Sequence, residues 1–451
     1  MSRFIPVDRQ TDYLLPPSVD EWLPDEHLAR FVVDVVEQLD LSALTQQYAG
    51  RGHKAHHPAV LLSLLIYGYA TGVISSRKIE RATYDSIAFR YLAANTHPDH
   101  DTLATFRRRF LPELEQLFVQ VLLLAREMKL LKFGTIALDG TKVKANASKH
   151  KALSYGHAKK LEAQLKTEVN ALIQRAEAAD NDVATDGMDI PAEIARREAR
   201  LAAIAEAKLK IEARAQERDA AEQTAYQDKI AKRDAQRKAG KKPRGRDPKP
   251  PMGGPRDKDQ VNLTDPQSRI MPVTGKGFDQ CYNAQAVVDT ESMLVTSVHV
   301  TQATNDKQQV MPLLNALTAL PASLGKVTHL LADTGYFSAE NVKVCGQQGI
   351  EPLIAMKRDV HHQPLFERFA AEAMAPDSED PVEQMAYRLK TQAGRVRYAL
   401  RKHTVEPVFG IIKHVMGFRQ FSLRGLDKVS GEWRLATLAW NIKRMHRLAA
   451  G

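Results

Sequence analysis

The chain has 451 residues, a formal charge of +10 and 43% hydrophobic residues. That length exceeds one ordinary core, so two or three domains are expected. The basic surplus favours polyanionic partners through phosphate neutralisation and counterion release. The two cysteines, Cys281 and Cys345, form no CxxC pair, which argues against a disulfide framework or structural zinc and fits a reducing, cytoplasmic setting. The first ten residues lack the apolar core of a signal peptide. The longest mainly apolar stretch, 59–74, is shorter than the roughly 20 residues of a spanning helix and reads as a buried helix, so no membrane partner is expected.

Taken in order, residues 1–130 read as an all-α domain. Pro24 opens a helix with Leu28, Phe31, Val32, Val35, Val36 and Leu39 on one stripe. Leu61 to Tyr69 is a more uniformly apolar helix, and Ser75 to Lys78 start another. Asp101 reads as the N-cap of a helix over 102–110. Leu114, Leu117, Phe118, Val121, Leu122 and Ala125 mark a further face. The first strand is 134–139, ending at Asp139. From about 150 to 240 the chain is rich in Ala, Glu, Lys, Arg and Gln. Leu161, Leu165, Val169 and Leu172 fit one helix and Ile194, Leu201, Ile204 and Ile211 a second, joined through 178–191 into an antiparallel hairpin. The hairpin reads equally as a DNA contact, a subunit contact or a solvated spacer. Residues 240–251 have the composition of a mobile linker, and Lys241, Lys242, Arg244 and Arg246 suit either phosphate contact or solvation.

Strand patterning returns at 282–288 and 293–300, with a turn at 289–292 between them. A helix over about 306–320 precedes a strand at 327–332, which ends at Asp333. Ser338 caps the next helix, 350–356 is a fifth strand, and a later helix carries Glu406. A last helix holds Trp433, Leu435, Leu438, Trp440 and Met445, whose tryptophans read as core rather than base-stacking residues. His53, His56 and His57 lack partners at metal-ligand spacing. Asp265 reads as a turn former.

Singly, Asp139, Asp333 and Glu406 read as ordinary turn or surface acids. Together, two carboxylates at strand ends and a third on a later helix can converge on Mg²⁺, which takes oxygen ligands and one or two carboxylates plus substrate phosphate. Two such ions roughly 3.5–4 Å apart activate an attacking oxygen and stabilise a leaving one. Arg107, Arg108 and Arg109 follow a capped helix start and read as phosphate contacts. Consecutive positions point different ways around a helix, so not all three face one groove.

Without 150–280 the element order matches the ribonuclease-H-like fold, in which the first and fourth strands are neighbours. Pro98 to Arg109 resembles the InsH-type helical domain of bacterial insertion-sequence transposases. Leu138-Asp139-Gly140-Thr141-Lys142-Val143-Lys144-Ala145-Asn146 resembles the first-aspartate motif of one branch of DDE transposases. Tyr282 to Asp289 resembles its next strand, Ala332-Asp333-Thr334-Gly335-Tyr336 the second-aspartate motif, and Val405 to Gly410 with Lys413 the glutamate region. The resemblance spans about 15–446. It implies an α/β catalytic core with a ribonuclease-H-like mixed sheet over 131–149 and 281–450, interrupted by a helical insertion over 150–280 and preceded by an all-α DNA-binding domain over 1–130.

The resemblance also implies Asp139, Asp333 and Glu406 as the metal-binding catalytic triad, and Mg²⁺, with Mn²⁺ as substitute, as two ions. The partners it implies are double-stranded DNA, as terminal inverted repeats and target, and a second copy when two ends are paired. The setting is the bacterial cytoplasm, at the nucleoid when DNA is bound. Related enzymes carry a Tyr, an Arg, the Glu and a Lys at fixed offsets. Glu406 and Lys413 keep theirs, on one face of an α-helix, where Lys413 reads equally as a phosphate contact or a solvated lysine. The Tyr and Arg offsets are not kept by Tyr398 and Arg401: either Lys402 takes the arginine's place or the register differs. A metal-dependent nuclease on the same core, or a DNA-binding remnant, are the alternative readings.

Overall fold

The structure is a computed structural model and describes residues 18–48, 55–179, 190–240, 242–243, 245–273, 275, 277–356 and 374–450. Its chain contacts divide it into two compact units, one of Met1–Val143 with Asn283–Gly451, the other of Lys144–Tyr282.

Among the described residues the first unit begins with the helices α1 (Leu28–Glu37), α2 (Ser42–Thr45), α3 (Pro58–Thr71), α4 (Ser76–Asp85), α5 (Ile87–Leu92), α6 (His100–Arg109) and α7 (Leu114–Glu127). α1 starts four residues after Pro24, where the His27 ring accepts from the Ala29 amide and supplies the cap. Likewise α6 is capped by Asp99 rather than Asp101. The Asp99 carboxylate accepts from the Asp101 and Thr102 amides at 2.9 and 2.8 Å, which leaves Asp101 in the first turn, where the helix dipole favours an acid. α3 is apolar all round and is buried on nearly every side, as such a helix must be. Gly72, at φ +86°, ends it in the left-handed conformation that glycine adopts without strain. Among the described residues no single helix is long and apolar enough to cross a membrane.

Strand β1 (Thr135–Lys144) runs on past Asp139. The apolar pattern stops at Leu138 because the next residues line a polar site, while the backbone pairing continues. The second unit then opens with β2 (Ala152–Ser154), followed by α8 (Tyr155–Ala179) and α9 (Ile190–Lys238), and closes with β3 (Gln260–Asn262) and β4 (Arg269–Pro272). α8 and α9 pack antiparallel around Leu165, Ile204 and Ile211. Lys208 to Glu162 at 2.8 Å and Arg197 to Glu168 at 2.9 Å set their register. Most of the joining segment, 180–189, lies outside the described residues. The segment expected to be a mobile linker, 240–251, is irregular where described, yet its Asp247 pairs with Arg233 of α9 at 2.9 Å, and the chain that follows is held to the same helix by Arg256 to Glu222 at 2.9 Å and Asp259 to Arg218 at 2.7 Å. Composition shows the missing periodicity but not these ion pairs.

β5 (Phe278–Asp289) pairs antiparallel with β4 at its start and with β6 (Val295–Thr301) further on. α10 (Val310–Thr318), β7 (His329–Ala332), α11 (Ala339–Gln347) and β8 (Glu351–Ile354) follow. The strand order β6-β5-β1-β7-β8, with β1, β7 and β8 parallel, is that of a ribonuclease-H-like core. After α12 (Pro381–Arg388), where the sequence pattern shows only a polar loop, comes α13 (Gln392–Gly410), a π turn (Ile411–Val415), and α14 (Leu426–Ala449). α14 lies against β6 and is buried through its middle, from Gly431 to Ile442. Asn441 holds both the amide and the carbonyl of Val295 at 2.8 Å, and the Trp433 and Trp440 indoles each donate to a backbone carbonyl at 3.0 Å. Both tryptophans are core residues, as expected.

Candidate active site at the ends of β1 and β7

The parallel register pairs Leu138 with Ala332, so the next residues, Asp139 and Asp333, stand side by side. Asp139 Oδ1 accepts from the Gly140 amide at 2.8 Å. Asp333 Oδ1 accepts from the Gly335 amide at 2.8 Å and caps the short turn Thr334–Tyr336, which fixes its side chain at the strand end. Glu406 comes from α13 and is the outermost acid, its side chain 54% exposed. Arg401, one turn earlier and only 12% exposed, joins the two elements. Its Nη1 lies 3.6 Å from Asp139 Oδ2 and its Nη2 3.4 Å from Glu406 Oε1.

Burial, with Asp333 and Asp306 pushing the same way, raises the Asp139 carboxyl to about 7; the Gly140 amide and Arg401 pull against this. Burial works against the charge of Arg401, but Tyr398, Asp139, Glu406 and Asp333 hold its guanidinium above its ordinary range. The site is thus short of positive charge and uses Arg401 as its own counterion.

A fourth acid, Asp306, completes the floor. A Cβ on Gly140 would lie 3.0 Å from its Oδ1 and one on Gly335 3.8 Å from its Oδ2, so Asp306 sits beside both aspartate motifs. It accepts from Asn283 Nδ2 at 2.6 Å and Gln285 Nε2 at 2.8 Å, and pairs with Lys142 at 3.4 Å. Gln285 in turn accepts from the Tyr336 hydroxyl. Gly140 has to be glycine, because any Cβ would come within 2.2 Å of the Gln285 amide, itself held at both ends. Asp306, Asn283 and Gln285 escape a reading of the sequence. The available signal was two polar residues spaced by two in an otherwise apolar strand, which puts both on one face; each is fully buried.

The remaining expected residues separate. Arg401, not Lys402, is the cation beside Glu406; Lys402 is exposed on α13. The Arg401 guanidinium lies 6.0 Å from the centre of the Tyr398 ring. Lys413 lies not in the α-helix that carries Glu406 but in the π turn that follows it. Its Nζ donates to the Lys142 carbonyl at 2.9 Å, on the strand that carries Asp139. Arg107 is not presented to a phosphate: it is buried, with Nη1 donating to the Tyr69 hydroxyl at 3.0 Å. Arg108 is exposed, and exposed Arg109 donates to the Gln47 carbonyl at 2.7 Å. Asp265 shapes a turn, accepting from the Gln267 amide at 3.3 Å, and also takes the Tyr282 hydroxyl at 2.9 Å. His57 is a helix cap, while His53 lies outside the described residues.

Among the described residues no three His, Cys, Asp or Glu side chains stand close enough together to hold a metal ion. The donor set nevertheless suits a hard divalent cation: Asp139 and Asp333 are adjacent oxygen donors under a deficit of positive charge, and Glu406 is tethered through Arg401.

Two family comparisons agree with this geometry. Residues 17–109 match the family described as Transposase domain (DUF772), and residues 252–442 match the family described as Transposase DDE domain. No curated protein and no solved structure matches the chain. Fold, site and both matches define a DNA phosphoryl-transfer enzyme of the DDE class. The chain belongs to the insertion-sequence DDE transposases, enzymes that act on DNA and generally use divalent metal ions.

Proposed function

We propose that this chain binds the terminal inverted repeats of its own insertion sequence, cleaves the DNA there and joins the freed 3′ end to a target. The observation that carries the reading is the side-by-side placement of Asp139 and Asp333 on paired parallel strands, with Glu406 tied to Asp139 through Arg401. Asp139, Asp333 and Glu406 would hold Mg²⁺, which when bound activates the attacking oxygen and stabilises the leaving one. With a cation held there, Arg401 would no longer be the counterion of Asp139 and Glu406, and its planar fork would suit a phosphate. Lys413, Tyr398 and Lys402 stand near it on the same chain segment, and exposed Arg108 and Arg109 supply further phosphate contacts at the end of α6. Buried Arg107 is left out of this set. Pairing two element ends calls for at least two copies, and the setting is the bacterial cytoplasm.

The test uses purified protein, labelled duplex carrying the flanks of the coding region, and Mg²⁺, Mn²⁺ or chelator. Nicking at the repeat boundary should need the metal, and alanine at Asp139, Asp333 or Glu406 should reduce it by at least about 10³-fold while end binding persists. A substitution that leaves nicking intact removes that residue from the triad.

A further inference from the structure

Between Lys229 and Lys249 the sequence holds ten Lys and Arg against two Asp, a surplus of eight in a chain whose whole surplus is +10. The structure shows how that charge is arranged. Arg233 donates to the carbonyls of Gly245 and Arg246 at 3.2 and 3.3 Å, pinning the proline-rich return segment against the end of α9. Both acids are consumed internally: Asp247 pairs with Arg233 and Arg237, and Asp234 with Arg237. Lys229, Lys232, Arg246 and Lys249 are left exposed, with no ion pair among the described residues. They face an open pocket of about 550 Å³ between the helix and the return segment, with Tyr226 at its wall. Lys229 and Lys232 are three apart and share a helix face, while Pro248 fixes the chain between Arg246 and Lys249.

We propose that this lobe is a second DNA-binding surface of the transposase, one that grips the phosphate backbone of duplex DNA without reading its sequence. The proposal rests on the functional reading above. Like charges crowded together repel one another, so a fold that pairs Asp234, Asp247 and the wall residue Glu222 with its own arginines and leaves four cations around one opening suits a polyanion. A phosphate backbone needs that array of fixed positive charge and no base-reading side chain.

The experiment measures duplex affinity against salt for the full chain. The variant is Lys229→Gln, Lys232→Gln, Arg246→Gln and Lys249→Gln together, which leaves Arg233 and Arg237 in place to hold the lobe. A matched control carries Lys160→Gln, Arg175→Gln, Arg200→Gln and Lys258→Gln, exposed cations elsewhere in the same unit. Each phosphate that is no longer neutralised should flatten the log–log salt slope by about 0.9, so the slope of the lobe variant should be shallower by roughly 2 to 4. The reduction should be equal on the flanking-repeat duplex and an unrelated one, with the control near wild type and metal-dependent nicking of the repeat duplex retained at low salt. An unchanged slope, an equal change in the control, or an effect confined to duplex RNA overturns the proposal. If nicking at the repeat boundary stays metal-dependent in those cases, the transposase reading stands without it. A wild-type chain that neither binds nor nicks duplex DNA at any salt sinks both.

Discussion

At the scale of single residues, Asp139 decides how the site behaves without metal. Its carboxyl is held near 7 in the folded chain, against an ordinary value of 3.8. Between those two values the folded protein keeps a proton that the unfolded chain gives up, so stability falls as pH rises through that window and levels off above it. Asp139→Asn removes this cost. In chelator the variant should be more stable than wild type at pH 8, by about 1–3 kcal/mol after allowance for the side chain's partial exposure, and the gain should shrink toward pH 4. Thermal unfolding at pH 5 and pH 8 reads it; equal differences at both would mean that Asp139 ionises normally. The three acids were legible because each ends an apolar run or follows a recognisable motif. Asp306 was not, since it sits in a loop before α10 with no periodicity around it, and only the folded sheet brings Asn283 and Gln285 to it.

Elements place these residues through contacts that propensity does not show. α13 carries both Arg401 and Glu406, and its first turn presses on the end of α12. A Cβ on Gly394 would lie 1.8 Å from the Arg388 carbonyl oxygen and 3.0 Å from Thr391 Oγ1, the atom that caps α13. Alanine would gain about 1 kcal/mol of helix propensity over glycine, but the clash is with backbone, which cannot swing aside. Gly394→Ala should therefore cost about 2 kcal/mol net and lower metal-dependent nicking further than this loss of folded protein explains, because α13 must shift. Denaturant midpoints beside nicking rates separate the two; a stabilised, fully active variant would show that the helices can part freely. The sequence placed the helix bearing Glu406 but not its π turn. One extra residue per turn leaves no trace in composition, and it is this turn that carries Lys413 to the Lys142 carbonyl.

For the whole molecule, Glu432 ties distant parts of the sequence into one core. It is fully buried on α14 and accepts from the Tyr69 hydroxyl of α3 at 3.0 Å and from the Ser422 and Leu423 amides at 2.9 and 3.0 Å. Arg107 supplies the positive charge, one hydrogen bond away through Tyr69. Arg107→Ala would leave a buried carboxylate without a cation and should cost about 3 kcal/mol. Folded Arg107→Ala protein should bind duplex DNA as wild type does, whereas Arg108→Ala and Arg109→Ala should weaken binding, Arg108→Ala with stability nearly unchanged and Arg109→Ala at a cost of about 1 kcal/mol for its bonds to Gln47. Unfolding and salt-titrated binding on the three variants test this; weakened DNA affinity in a fully stable Arg107→Ala would reverse the assignment. A run of three arginines after a helix cap says nothing of which one points inward. That follows from α6 packing, where position 107 shares the inner face with Leu103 and Phe106.

The second unit also bears on how the sheet can be assembled. β1 and β5 are neighbours, yet well over a hundred residues of chain separate them, a loop whose closure is entropically unfavourable and slow. Within that unit the antiparallel helices, the β2–β3 pairing and the bond from the Ala145 amide to the Gln280 carbonyl bring its two ends together. Once it has folded, the search that joins β1 to β5 becomes a local one, and the insertion serves the catalytic sheet as a splint.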